Sequence, residues 1–166
     1  MKFKALMLTL VLLLPGCLDS EGEEIRFNGR NLEGSDVYMF TLEDSKGPLW
    51  NLTEQEGKVV VLAFIFTRCD NTCPVTSQNL KVVYESLTED ELTKVSFVSV
   101  TVDWRHDSPS ELNNWSDRMG YDWPHLTGAK QALDPVYENY GVFPVEQGDD
   151  SDLSLIHISE PTRPRE

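Results

Sequence analysis

The chain has 166 residues, with 28 acidic against 14 basic side chains and a formal net charge of −14. That length suits one domain, and a 40% hydrophobic content with four Trp, seven Phe and five Tyr is ample for a packed core, which excludes disorder over most of the sequence. So acidic a balance excludes nucleic acid and anionic lipid as charge-matched partners; it attracts basic proteins and cations, or keeps the chain soluble.

Residues 1–17 read as an export leader. Lys2 and Lys4 precede an apolar run from Ala5 to Leu14 broken only by Thr9, and Pro15-Gly16-Cys17 ends it. The run is too short to cross a hydrocarbon layer of roughly 30 Å as a helix. Leu14-Pro15-Gly16-Cys17 resembles a lipobox, which implies lipidation of Cys17 and anchoring on the outer face of the cytoplasmic membrane. Pro15 is unusual in such a motif, so plain secretion is the alternative. Export also puts the two remaining cysteines where disulfides form. Residues 18–35, polar and Glu-rich through Asp19 to Leu32, read as an acidic linker.

Val37 to Leu42 alternates as a strand does, and Glu43 to Pro48 turns it. Lys58 to Thr67 is a nearly continuous β-branched and aromatic run, the pattern of a strand buried on both faces. Pro74 to Leu87 reads as a helix, with Leu80, Val83, Tyr84 and Leu87 at three- and four-residue spacing. Lys94 to Val102 is a second central strand. Ser108-Pro109-Ser110-Glu111 is a capping box with proline at the first helical position; it opens a helix through Leu112, Trp115 and Met119 that Gly120 closes. A short helix over Gln131 to Tyr140 is entered near Asp134-Pro135. Strands alternating with helices predict an α/β fold, a central parallel sheet with flanking helices and right-handed crossovers.

The stretch from Leu153 to Arg163 resembles the translation of a transposase adapter used in preparing sequencing libraries. That resemblance implies that residues 153–166 are an artefact and that the domain, residues 36–152, is cut short at its C-terminus. A natural strand is the alternative, because Leu153, Leu155 and Ile156 suit one. If strands are lost, the strand at Lys58 to Thr67 lacks a neighbour, and Leu153 to Ile158 is available to pair there as a substitute.

The chemistry concentrates in Phe64-Ile65-Phe66-Thr67-Arg68-Cys69-Asp70-Asn71-Thr72-Cys73-Pro74, where a strand runs into two cysteines at i and i+4. At a helix N-terminus the backbone N–H groups and the dipole favour thiolate. With Pro74 at the first helical position, Cys73 is the cap and Cys69 lies one turn back, so both sulfurs can converge on one ion. Two thiolates without a nearby carboxylate pair suit Cu(I), or Zn(II) with further ligands; an inert disulfide closing a short loop is the structural alternative. His106 reads as a solvated loop residue, and His125 as lying near the same sheet edge. Asp103 and Asp107 flank the strand exit in hydrogen-bonding and capping roles. Asn51-Leu52-Thr53 and Asn114-Trp115-Ser116 fit the glycosylation sequon, a pattern short enough to arise by chance.

FIFTRCDNTCP, followed by Val100-Thr101-Val102-Asp103, Asp107-Ser108-Pro109 and Leu126-Thr127-Gly128, resembles the SCO/SenC family over roughly Val37 to Asp150. The resemblance implies a thioredoxin-like fold, incomplete here at the C-terminus. It implies a copper chaperone for the dinuclear copper centre of cytochrome c oxidase subunit II. Cys69 and Cys73 are then the cysteine ligands for copper, as Cu(I) and also as Cu(II), and interconvert between dithiol and disulfide. The family's third ligand is a histidine in a later Asp-His-Ser or Asp-His-Thr segment, which has no match after Gly148-Asp149-Asp150. His157-Ile158-Ser159 mimics the motif but belongs to the adapter-like tail and is not assigned.

Three functions compete for the cysteine pair: a copper-binding assembly factor, a thiol–disulfide oxidoreductase acting on the target's cysteines, and a peroxidase with Cys73 as nucleophile. A thioredoxin-type enzyme would carry CxxC, one residue tighter than the spacing here. A peroxiredoxin-type site needs upstream Pro and Thr or Ser, where this chain has Phe66 and Asp70.

Overall fold

The structure, a computed structural model, describes residues 37–144 and 155–159, which all belong to the second of two units, residues 36–166. The expected leader, Cys17 and the acidic linker fall outside them. The strand expected from Val37 pairs only from Thr41. β1 (Thr41–Asp44) forms a hairpin with β2 (Leu49–Asn51), Leu42 facing Trp50. The preceding Val37–Phe40 alternation reflects burial without a ladder: Phe40 is buried, and its carbonyl accepts one bond, from Leu52 N at 3.0 Å. A single turn of 3-10 helix (Leu52–Gln55) follows, capped by Asn51 Oδ1, which accepts from Thr53 N at 3.0 Å. β3 (Val59–Ile65) carries only apolar side chains, and its last four are buried, as the continuous apolar run predicted.

The helices are α1 (Thr72–Ser86), α2 (Glu89–Leu92), α3 (Pro109–Met119) and α4 (Lys130–Tyr140). Leu80 is buried under α1, with Tyr84 and Leu87 packed at the core's edge, but Val83 is 49% exposed and belongs to the outer face. Four residues of apolar spacing overestimated the width of the buried stripe. α2 is a turn the sequence reading missed. It stands on a reciprocal box in which Thr88 Oγ1 accepts from Glu91 N and Glu91 Oε2 accepts from Thr88 N at 2.8 Å. Ser108 caps α3 as expected, accepting from Glu111 N at 3.3 Å. α4 begins at Lys130, so Pro135 sits inside it rather than at its entrance. The proline removes one backbone donor, and the helix continues through it to Gly141.

β4 (Val95–Thr101), β5 (His125–Thr127) and β6 (Leu155–Ser159) complete a six-stranded sheet in the order β2-β1-β5-β4-β3-β6. The central strands are parallel as expected, β3–β4 and β4–β5, but the sheet as a whole is mixed: β1–β2, β1–β5 and β3–β6 are antiparallel. The difference arises at the edges, where a short hairpin and the C-terminal strand can run either way. β6 pairs along β3 from Phe64↔Leu155 to Val60↔Ser159, so the adapter-like tail does supply a strand at that edge. The core gathers on both sides of β3 and β4, with Phe64, Ile65, Val100, Leu112, Leu126 and Leu133 fully buried. Each such side chain contributes about 1.5–3 kcal/mol of transfer free energy. No helix among the described residues is long and apolar enough to cross a membrane.

Candidate metal centre

The two central parallel strands end side by side, and the cysteine loop leaves from that end. Val102 N donates to Ile65 O at 2.8 Å, the last backbone–backbone bond between the two paths. Phe66, Thr67 and Arg68 then leave the sheet, and Cys69 N turns back to Phe66 O at 3.3 Å. Helix α1 begins at Thr72, with Asn71 in the cap position but making no side-chain cap bond. A sulfur takes that role. Cys73 N donates to Cys69 Sγ at 3.2 Å, so one of the orphan amides of the first turn points at a thiol. Cys73 is therefore the second helical residue and Pro74 the third, not the cap and the first. Proline fits there because a first-turn N–H has no intrahelical partner to lose. Both sulfur-bearing residues are buried thiols, Cys69 at 6% exposure and Cys73 at 0%.

Two carboxylates hold the loop from behind. Asp103, 3% exposed, accepts from Arg68 NH2 at 2.7 Å and Nε at 3.2 Å, and lies 2.8 Å from His106 Nδ1. Burial pushes its pKa up, but the hydrogen bonds and charges of Arg68 and His106 outweigh that, and the net direction is down. His106, expected to be merely solvated, is half-exposed yet held by this contact. Asp107 is wholly buried and accepts from Thr67 N at 3.1 Å, from Thr67 Oγ1 at 2.5 Å and from Thr101 Oγ1 at 2.5 Å. Burial pushes its pKa up; the Thr101 and Thr67 donors oppose this without cancelling it, and the charge of Asp103 adds to it. Both aspartates thus have hydrogen-bonding roles, but Ser108, not Asp107, caps the next helix. Thr67, Thr101 and Arg68 escaped the sequence reading. Their signal was the pair Asp103 and Asp107 at a strand exit, which needed donors from somewhere.

His125 does not join the site. It is buried at the start of β5, stacked on Trp123 at 5.7 Å and edge-on to Trp115 at 5.5 Å. The backbone of His157 pairs opposite Leu62, three residues before β3 ends, in the adapter-like tail. Among the described residues no group of three His, Cys, Asp or Glu side chains could hold a metal. What the loop offers is two soft sulfurs at the positive end of a helix, with the nearby carboxylates committed to other donors. That donor set fits Cu(I) and a dithiol–disulfide couple better than any hard cation.

A family model for SCO1/SenC matches residues 31–160, most of the chain and part of the adapter-like tail. The chain belongs to the SCO1/SenC family. The SCO2-like protein of Rickettsia felis is 28% identical over 114 residues, 68% of this chain and 55% of the relative, so the chain spans about half the length of the curated relatives it matches. The solution structure of apo Sco1 from Thermus thermophilus is similar with TM-score 0.66 at 28% identity, covering 83% of this chain and 80% of that one. Yeast Sco1 with copper bound shares the fold with TM-score 0.63 at 22% identity, covering 76% and 75%. A SCO1/SenC family lipoprotein from Bacillus anthracis gives TM-score 0.52 at 29% identity, covering 63% and 62%. The fold is thioredoxin-like, as the resemblance implied.

Proposed function

We propose that this chain is a copper-binding assembly factor that carries Cu(I) on Cys69 and Cys73 and delivers it to the dinuclear copper centre of cytochrome c oxidase subunit II. The observation that carries the reading is the pair of buried thiols at the start of α1, with the Cys73 amide directed at Cys69 Sγ. Copper bound in yeast Sco1 supports the choice of metal; on this reading Cu(II) is a second state of the same cargo. Delivery proceeds by ligand exchange. An acceptor thiolate replaces one cysteine sulfur and then the other, so the ion changes partners without changing charge. Residues 1–17 export the chain, and Cys17 carries the lipid that holds it on the outer face of the cytoplasmic membrane; the Bacillus anthracis lipoprotein is in keeping with that anchor. Residues 36–152 are the SCO domain and 153–166 the adapter-derived tail.

Titration of the reduced chain with Cu(I) against a competing chelator tests this. The expected result is one tightly held ion per chain, with affinity falling at least about a hundredfold in Cys69→Ser and in Cys73→Ser. Weak copper binding together with fast disulfide exchange on a two-cysteine target peptide would overturn it in favour of a thiol–disulfide oxidoreductase. In that chemistry one thiolate opens the target's disulfide and the other resolves the mixed disulfide, leaving Cys69 and Cys73 oxidised and the target reduced.

A further inference from the structure

We infer that Asp107 is the positioning residue of the cysteine loop, acting through Thr67 and not by touching copper. The inference rests on the reading of Cys69 and Cys73 as the working centre. β3 stops at Ile65, and beyond the Val102 N–Ile65 O bond the sheet no longer holds the chain. The next backbone amide with a partner from across the sheet is Thr67 N, and that partner is the carboxylate of Asp107, in the loop that follows β4. The same carboxylate takes the Thr67 hydroxyl, so the residue two positions before Cys69 is gripped at backbone and side chain together.

Asp107 is itself fixed from three other directions. Its Oδ2, which also takes the Thr67 amide, accepts from Thr101 Oγ1 at the end of β4. Its backbone N–H donates to Asp103 O at 2.9 Å, and its carbonyl accepts from Thr127 Oγ1 of β5 at 2.9 Å. Thr101 O in turn accepts from Tyr137 of α4 at 2.8 Å. A fully buried carboxylate is costly unless every lone pair facing the interior is used, and here the donors come from the loop and from β4. The loop's position is thereby referred to three separate elements. Cys69 Sγ must lie where the Cys73 amide can reach it, and a loop pinned at Thr67 puts it there.

Thr67→Val removes only the hydroxyl donor to the carboxylate and keeps the shape; Thr127→Val removes a hydroxyl donor from the backbone carbonyl of the same Asp107. The readout is the equilibrium constant between the Cys69–Cys73 dithiol and its disulfide against glutathione, with denaturant unfolding measured in parallel. We expect Thr67→Val to shift that constant by about tenfold, Thr67→Ser to restore it to within about twofold, and Thr127→Val to leave it within about twofold although it too loses stability. Should Thr67→Val fail to fold, Thr67→Ala reads the same hydroxyl loss against Thr67→Ser. Equal shifts in the Thr67 and Thr127 variants, or no rescue by serine, would overturn the inference. The readout needs no copper, so a wild-type chain that fails to bind Cu(I) would defeat the proposed function while leaving this result legible.

Discussion

His125 has no exposure to solvent, and its ring lies between those of Trp115, Tyr121 and Trp123. Nδ1 donates to Trp123 O at 2.7 Å, which fixes the tautomer, and Nε2 has no hydrogen-bond partner among the described residues. Burial lowers the pKa from 6.5 to about 4, with the charge of Lys46 pressing the same way and the Trp123 carbonyl opposing. Because the folded value lies below the unfolded one, the unfolded chain binds the proton first on acidification. The stability from keeping this ring neutral is complete above pH 6.5 and is lost as the pH falls through about 4. The full effect is about 3 kcal/mol. His125→Phe keeps the stacked ring without the titration, so its unfolding free energy should fall less than the wild type's between pH 7 and pH 4.5. Parallel pH profiles for the two chains would exclude the assignment. At this scale the sequence was a partial guide: a histidine after Trp123-Pro124 was visible, but its enclosure depends on Trp115, which a helix brings from ten residues away.

Among the elements, α3 shows how much a local signal can carry. Ser108, Pro109 and Gly120 were all legible as start and stop, since capping acts over a few residues. Gly120 has φ +68°, where a side chain is strained, and a Cβ there would come within 3.1 Å of Lys81 Nζ. That ammonium donates to Gly120 O at 2.6 Å and pairs with Glu85 at 2.9 Å, so the end of α3 is tied to the middle of α1. Gly120→Ala should lower stability by about 1–2 kcal/mol, read as a shift in urea midpoint at unchanged slope. An unshifted midpoint would mean the turn relaxes. β2 and α2 were not legible, because three or four residues are too few to show a period.

For the molecule as a whole, the central strands were plain from composition, while the polarity of the outer ones was not, since strand direction at an edge leaves no periodic trace. β3 is flanked by β4 on one side and by β6 on the other. A chain ended at Asp152 would leave the edge from Val60 to Phe64 uncovered. We expect that chain to self-associate and to give less soluble protein, measured by light scattering beside the full sequence. A monomer of equal stability would show that the edge needs no cover. The site divides in the same way. Cys69 and Cys73 announce themselves by adjacency, whereas Asp107 meets Thr67 across 40 positions, a contact only the folded sheet creates.

If the chain carries copper as proposed, the burial of both cysteines separates how tightly the centre would hold it from how fast it would give it up. Cys73 is fully buried and Cys69 is 6% exposed, so a solute that stays outside meets little of either residue. On the proposed function, exchange would then depend on how often the loop opens as well as on affinity, and a partner that pries the loop aside would gain in rate what a bulkier chelator does not. Such a centre would be insulated from bystanders by kinetics as well as by chemistry.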